Sequence, residues 1–511
     1  MSNQDFPRAA SGSLVTPAGQ EGPAEPERPA EPEEPVPARS AGRTRELVQL
    51  IRWHWGFAAV LAAGIALRVV TSLAYWPALL YVDSPKYLIG ANEGDPVGYR
   101  VLLIPLDRLG GLGLVAIVQH LIGLGLGIAL YVMLIRRGVS RWLAVVAAAP
   151  VLLDAYQLQI EQMILPDLLF EALIAAGIIV LAWSRSPRLW AILVGAALLG
   201  GAVDIRQVGE VLVVPLVAFV FLVSASGWGL RFVRTTAAVI AFALPVLAYM
   251  TIHANVTGSF AITTGGPNLL YGRAAYAADC QTLSLPSYER VLCPSPAQVT
   301  TVGGIDGLIH DYRAPGATYK PPKGMTTGQV ESDFAKHVIR QQPVRFTASV
   351  ARDLVRLFAV TRDGVAVAET PISRWQFQPK FPTYGHGIVL RTINQYIGPV
   401  PAGNHPLDNF LRSYQLYGGY TPGPLYLIAL LCAVIGACLG IGRRPVVDRS
   451  LVLMCMLMTV TAVAVLGLSD LFEFSWRYQI PAAVTIVPAG AVGAALIIAR
   501  VRGRESGTKS A

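Results

Sequence analysis

Residues 450–468 read SLVLMCMLMTVTAVAVLGL, an apolar run without one charged side chain. A hydrocarbon core about 30 Å thick takes roughly 20 such residues to cross as a helix. Inside it the backbone must satisfy its own hydrogen bonds, so the run predicts a transmembrane helix. Nine further stretches are predominantly apolar with at most two charges each, at 55–76, 112–135, 141–153, 166–183, 189–204, 208–224, 233–252, 424–441 and 480–499. The 141–153 stretch is short for a bilayer and predicts support from its neighbours. Of the 511 residues, 53% are hydrophobic and 14% charged, with a mean hydropathy of +0.49. Soluble proteins average about 25% charged residues, which excludes a water-soluble enzyme. The prediction is an all-α polytopic membrane protein of about ten transmembrane helices.

Arginines orient these helices. Arg43, Arg45 and Arg52 precede the first stretch; Arg136, Arg137 and Arg141 separate the second from the third; Arg185 and Arg188 separate the fourth from the fifth. Arg231 and Arg234, then Arg443, Arg444 and Arg449, and finally Arg500, Arg502 and Arg504 continue the series. Every cluster falls on one side of a ten-span alternation, which the positive-inside rule makes cytoplasmic. Both termini are thus predicted in the cytoplasm, including a low-complexity tail over 1–45 with eight prolines and a short tail over 501–511. The formal charge of +9 is accounted for by topology, so no nucleic-acid partner is implied. The excess of arginine over lysine fits a GC-rich bacterial genome, and hence the plasma (inner) membrane of a bacterium.

The predicted domains are helices one to seven within 46–252, one exoplasmic domain of mixed structure over 253–423, and helices eight to ten within 424–500. The exoplasmic domain, inserted between helices seven and eight, is too long to be a plain connection. It holds Cys280 and Cys293, whose spacing on an oxidising face predicts a disulfide; the other three of the five cysteines lie in apolar stretches.

Charges are costly at membrane depth and mark function or pairing. Here they gather at the predicted exoplasmic ends of the helices: Asp83 and Lys86 after the first, and Asp154, Glu161 and Asp167 between the third and fourth. Asp204 and Arg206 end the fifth, Glu210 opens the sixth, and Asp470, Glu473 and Arg477 lie between the ninth and tenth. Segments hundreds of residues apart therefore deliver their charges to one face. Such a face can join a lipid phosphate to a water-soluble group.

Several stretches resemble the class C glycosyltransferases (GT-C), the membrane enzymes that include protein O-mannosyltransferases, aminoarabinose transferases and mycobacterial arabinosyl- and mannosyltransferases. Asp83-Ser84-Pro85-Lys86-Tyr87 is similar to their first acidic motif, and Tyr99-Arg100-Val101-Leu102-Leu103 to their entry into the second membrane helix. The stretch from Gln119-His120 through Glu161-Gln162-Met163-Ile164-Leu165-Pro166-Asp167 resembles their second and third spans with the second acidic loop, and Glu473-Phe474-Ser475-Trp476-Arg477-Tyr478-Gln479-Ile480-Pro481 resembles their C-terminal arginine–tyrosine–proline signature. The likeness covers about 55–250 and 424–500. It implies transfer of a sugar from a polyprenyl-phosphate donor to an exoplasmic glycan, lipid or protein acceptor, with inversion. Asp83 then matches the general base, which must deprotonate an acceptor hydroxyl. Arg206, Arg477 and Lys86 are candidates to hold the donor phosphate, since a guanidinium fork fits phosphate oxygens. The other role open to the two arginines is an ion pair with Asp204, Glu210 or Glu473. Asp154, Glu161 and Asp167, with Tyr87, Glu473 and Tyr478, are candidates for sugar or acceptor contacts. For the three acids, divalent-cation binding or pairing with an arginine stays open as well. Relatives carry two adjacent acids where this chain has Asp83-Ser84, so the sequence does not decide metal use or the identity of the base.

Other signals have plainer readings. Gly123-Leu124-Gly125-Leu126-Gly127 lies within an apolar stretch and predicts helix packing, not a dinucleotide fold. Gln119 and His120 predict interhelical hydrogen bonds. Trp375 and Tyr384 predict core packing, with sugar stacking as the alternative. A transporter or flippase of a lipid-linked molecule, or a non-catalytic envelope scaffold, remains the rival to an enzyme.

Overall fold

A computed structural model describes residues 52–90, 95–224, 227–263, 267–362, 375–381, 388–399, 403–441 and 448–508. The predicted tail over 1–45, Arg443, Arg444 and Tyr384 lie outside them. All ten apolar stretches are helical, and no strand forms among the described residues, only an isolated bridge between Leu79 and Met163. Among the described residues, six helices are long and apolar enough to cross a membrane: Trp55–Ala74, Arg100–Arg136, Trp228–Thr257, Gly423–Gly440, Arg449–Phe472 and Trp476–Arg502. A seventh crossing is available where Arg141–Leu153 continues into Ala155–Gln162 across a 45° bend, which supplies the length the third stretch lacked. Three more apolar helices are shorter: Asp167–Ala182, Leu189–Ile205 and Val213–Val223. This is the architecture of a polytopic α-helical membrane protein.

The two sets of helices, separated in sequence by the 253–423 segment, close into one bundle. Leu130, Leu152, Ile174, Leu199 and Leu216 share a continuous core with Ala433, Met454, Met458, Val484 and Val492. Small residues let backbones approach in the C-terminal half: Gly436 lies against Gly493, and Gly490 against Ala429. Such contacts gain dispersion energy where lipid supplies no hydrophobic drive. The last helix runs on to Thr508, so the tail predicted to begin at 501 starts as helix.

The described part of the 253–423 segment is helical, where mixed structure was expected. Its first part has a core of its own, built from Tyr271, Leu292, Phe334, Val338 and Phe346. Arg273 fastens that part to the bundle: wholly buried, it donates to Asp353 at 2.5 Å, to the Asp470 carbonyl at 2.9 Å and to the Phe472 carbonyl at 3.2 Å. Cys280 and Cys293 form a disulfide with their Cα atoms 5.9 Å apart. The second part lies over the bundle, where Trp375, Phe377, Phe381 and Leu411 share a core with Tyr75, Tyr81, Leu158 and Trp476.

Within the bundle, Arg68 is buried in the first helix and donates to Glu161 at 2.7 Å and to the carbonyls of Val151 and Leu152. His120 meets the other Glu161 oxygen at 2.8 Å, and Gln119 donates to the Glu161 and Met163 carbonyls. Gly123 makes room for this pair, because a methyl group there would strike Glu161 Oε1 and Arg68, whereas one at Gly125 would meet nothing within 4 Å. Gly123→Ala should therefore lower stability by about 1–3 kcal/mol. Gly125→Ala should be neutral or stabilising, since helical glycine costs roughly 0.5–1 kcal/mol relative to alanine. Thermal unfolding in detergent compares them; equal losses would contradict this packing.

Candidate functional site

Four helix ends converge on Arg477. It lies in the 3-10 turn Trp476–Gln479 that leads into the final membrane helix, and it is buried. Its Nε donates to Asp167 at 2.8 Å and its Nη1 to Asp83 at 2.6 Å. Asp167 is the first residue of the Asp167–Ala182 helix, where a carboxylate complements the exposed amides of the N-terminus. Its other oxygen accepts from Arg206, the residue that ends the Leu189–Ile205 helix, where a cation complements the terminal carbonyls. Asp83 precedes the short Ser84–Leu88 helix, and Lys86 one turn on reaches Asp83 at 3.1 Å and Asp95 at 2.7 Å. Charges thus alternate along one chain: Asp95, Lys86, Asp83, Arg477, Asp167, Arg206.

Burial divides that chain by depth. Arg477 and Asp167 keep 6% and 4% of their side-chain surface, while Arg206, Asp83 and Lys86 keep 19%, 22% and 31%. A ligand from solvent meets the last three first. Aromatic rings wall the site: Arg206 lies 4.3 Å over Tyr478, and Arg477 is 5.9 Å from both Tyr81 and Trp375. Such contacts hold a desolvated guanidinium without neutralising it. Tyr87 is buried edge-on to Tyr99, 5.5 Å away.

Burial alone would raise the Asp83 carboxyl, but Arg477 and Lys86 outweigh it and hold the group far below the usual carboxylate range. Burial pulls Lys86 down, and Asp83 and Asp95 overcome that and raise it. At neutral pH both groups are charged.

The candidate residues therefore divide. Asp83, Lys86, Asp167, Arg206, Arg477 and Tyr478 come together, with Tyr87 beside them and Glu473 buried four residues before Arg477. Both arginines take up the ion-pair role left open to them: Arg206 pairs with Asp167, and Arg477 with Asp167 and Asp83. Glu161 is taken up by Arg68 and His120 inside the bundle. Asp154 works at the helix bend: it accepts from the Tyr156 and Thr421 amides and from Arg362, whose guanidinium sits among Tyr156, Tyr420 and Trp476. Trp375 is buried against Tyr81 at 4.6 Å. The disulfide belongs to the separately cored part of the long segment. Among the described residues, no group of three or more His, Cys, Asp or Glu is placed to hold a metal ion.

Sequence reasoning missed Asp95, Arg362 and Arg68. Only Arg68 left a signal, as the one charge within the first apolar stretch. Compared with protein-family models, curated proteins and solved structures, the chain matches none.

The depressed Asp83 value sets a pH window. Stability from this contact is fully present above the unfolded carboxylate value near 3.8 and is lost as pH falls toward the folded value. The thermal midpoint of Asp83→Asn should thus lie below that of the parent by a constant margin between about pH 5 and pH 8, and the margin should shrink in stronger acid. A margin that varies across the neutral range would show Asp83 titrating there, against this geometry.

Proposed function

We propose that the chain is a ten-span membrane glycosyltransferase of the GT-C kind, with both termini in the cytoplasm of a bacterium and the 253–423 segment on the exoplasmic side of its plasma membrane. Its donor is a polyprenyl-phosphate sugar, and its acceptor is an envelope glycan, lipid or protein. The observation that carries the reading is the alternating charge chain. Asp83, a partly exposed ionised carboxylate, lies within 2.6 Å of a buried arginine that also links it, through Asp167, to the partly exposed Arg206. Base and phosphate-binding groups thereby share one site at the ends of apolar helices.

In the proposed step the donor phosphate engages Arg206 and Lys86 at the rim, then Arg477. An acceptor hydroxyl attacks the anomeric carbon from the face opposite the phosphate. As that carbon–oxygen bond forms, the bond from the anomeric carbon to the phosphate oxygen breaks. The departing electron pair stays on the polyprenyl phosphate, where the guanidinium groups stabilise it, and Asp83 takes the hydroxyl proton. A phosphate that draws Arg477 and Lys86 toward itself also frees Asp83 from the cations that keep its proton affinity low. The base gains strength where the donor is bound.

One observation favours a transporter as the second reading. Arg68, His120 and Glu161 are ionisable groups buried among apolar helices, and Glu171 lies with them through Gln157. Intramembrane charges of this kind also line transport pathways.

Asp83→Asn should reduce transfer from a radiolabelled polyprenyl-phosphate sugar in membranes by about 10²–10⁴-fold. Arg206→Ala should weaken both donor binding and turnover, by roughly 2–5 kcal/mol if the charged contact is desolvated. Full transfer by a folded Asp83→Asn protein would remove the base assignment. Lipid movement without transfer in the parent protein would favour the transporter.

A further inference from the structure

The helix Pro343–Arg356 carries an apolar stripe on its outward side as well as a buried side. It packs against the Arg449–Phe472 helix and the Pro267–Ala277 helix; Phe346, Ser349 and Asp353 are buried, Val350 packs on the core of the long segment and Leu354 is half-buried. Among the buried residues, Asp353 receives Arg273. The opposite, outward face carries Val344, Ala348, Ala351 and Val355, at positions i, i+4, i+7 and i+11, which fall on one narrow stripe. All four are exposed, Val344 by 77% and Val355 by 64%. Water should face polar residues on such a helix. Here the stripe is apolar at four successive positions over about three turns.

The surroundings identify what covers the stripe. Where the helix ends, Leu357 packs in one core with Tyr426, Ala429, Leu466 and Ile486, all on membrane helices. The backbone at Phe358 and Ala359 touches Gly423, the first residue of the Gly423–Ile441 helix. Beyond it Val360 is 70% exposed, and Leu427, Ile428 and Leu431 on that next helix are exposed as well. The chain that follows the stripe thus meets the start of a membrane-crossing helix whose own flank is apolar and exposed. Along one edge of the stripe run Arg345 and Arg352, both exposed, with Arg345 3.7 Å from Asp279. An apolar face edged by cations is the pattern of a helix lying in the membrane–water interface, its apolar side among acyl chains and its basic side at headgroup phosphates.

We infer that Pro343–Arg356 is an interfacial helix that seats its Val344–Ala348–Ala351–Val355 face on the phospholipid surface beside the Gly423–Ile441 helix. The inference rests on the apolar helices and not on the proposed glycosyl transfer. Its consequence is mechanical. The same helix carries Asp353, partner of Arg273, and so couples the bilayer surface to the core of the long segment.

The test is collisional accessibility of nitroxide labels on the full chain in lipid nanodiscs. Cys432, Cys438 and Cys455 are replaced by alanine, the Cys280–Cys293 disulfide is kept, and labels go on Val344→Cys and Val355→Cys. Val434→Cys on the Gly423–Ile441 helix serves as the lipid control and Thr300→Cys, on an exposed helix of the long segment, as the aqueous one. Both stripe positions should follow Val434→Cys, with an oxygen-to-nickel-chelate accessibility ratio several-fold above that at Thr300→Cys. A ratio like that of Thr300→Cys at both positions, or at Val344 alone, would overturn the seating. Labels shielded from both reagents, or coupled to one another between molecules, would overturn it too, because the face would then be covered by protein or by a second copy of the chain.

Discussion

The grip of Arg477 on Asp83 and Asp167 is the constraint around which the polar face is built. A buried guanidinium is costly unless paired and hydrogen-bonded, and here it is served by acids from segments 310 and 394 residues away. Removing one partner of a buried pair costs about 3–5 kcal/mol, because the survivor is left uncompensated. The ends of four helices are therefore held in one arrangement. That arrangement leaves Asp83, Lys86 and Arg206 where a ligand can reach them.

The same device recurs through the molecule. Arg68 joins the first helix to Glu161, Arg273 joins the long segment to the end of the Arg449–Phe472 helix, and Arg362 joins it to Asp154 at the bent pair. In each case the guanidinium meets a carboxylate and also backbone carbonyls or aromatic rings. Apolar helices pack without preferred register, since one leucine surface resembles another. Sparse arginine contacts at defined heights remove that freedom. They also explain why a segment of about 170 residues can be inserted between two sets of helices without parting them.

The ten apolar stretches were legible because composition alone marks them, and all are helical here. Which of them cross a membrane singly was less so: Arg141–Leu153 needs the bend at Asp154 to reach a spanning length. In the site, Asp83 and Arg477 stood out as charges at helix ends. Asp154, Glu161 and Asp167 could not be told apart, because all three are acids beside apolar stretches. Only tertiary geometry separates them, with Asp167 under two arginines, Asp154 at a helix cap and Glu161 inside the bundle. The outward apolar stripe of Pro343–Arg356 was equally hidden, since periodicity reveals that a helix is two-sided but not which side faces the protein.

A double-mutant cycle between Asp167 and Arg477 tests the central role of this contact most directly. Asp167→Asn, Arg477→Gln and the double variant are compared with the parent by thermal unfolding in one detergent. If Arg477 organises the helix ends through Asp167, the two losses should couple by about 0.5–3 kcal/mol, and the double variant should be far less damaged than the sum of the singles. Losses that simply add would show that the two charges act independently, and would contradict the account.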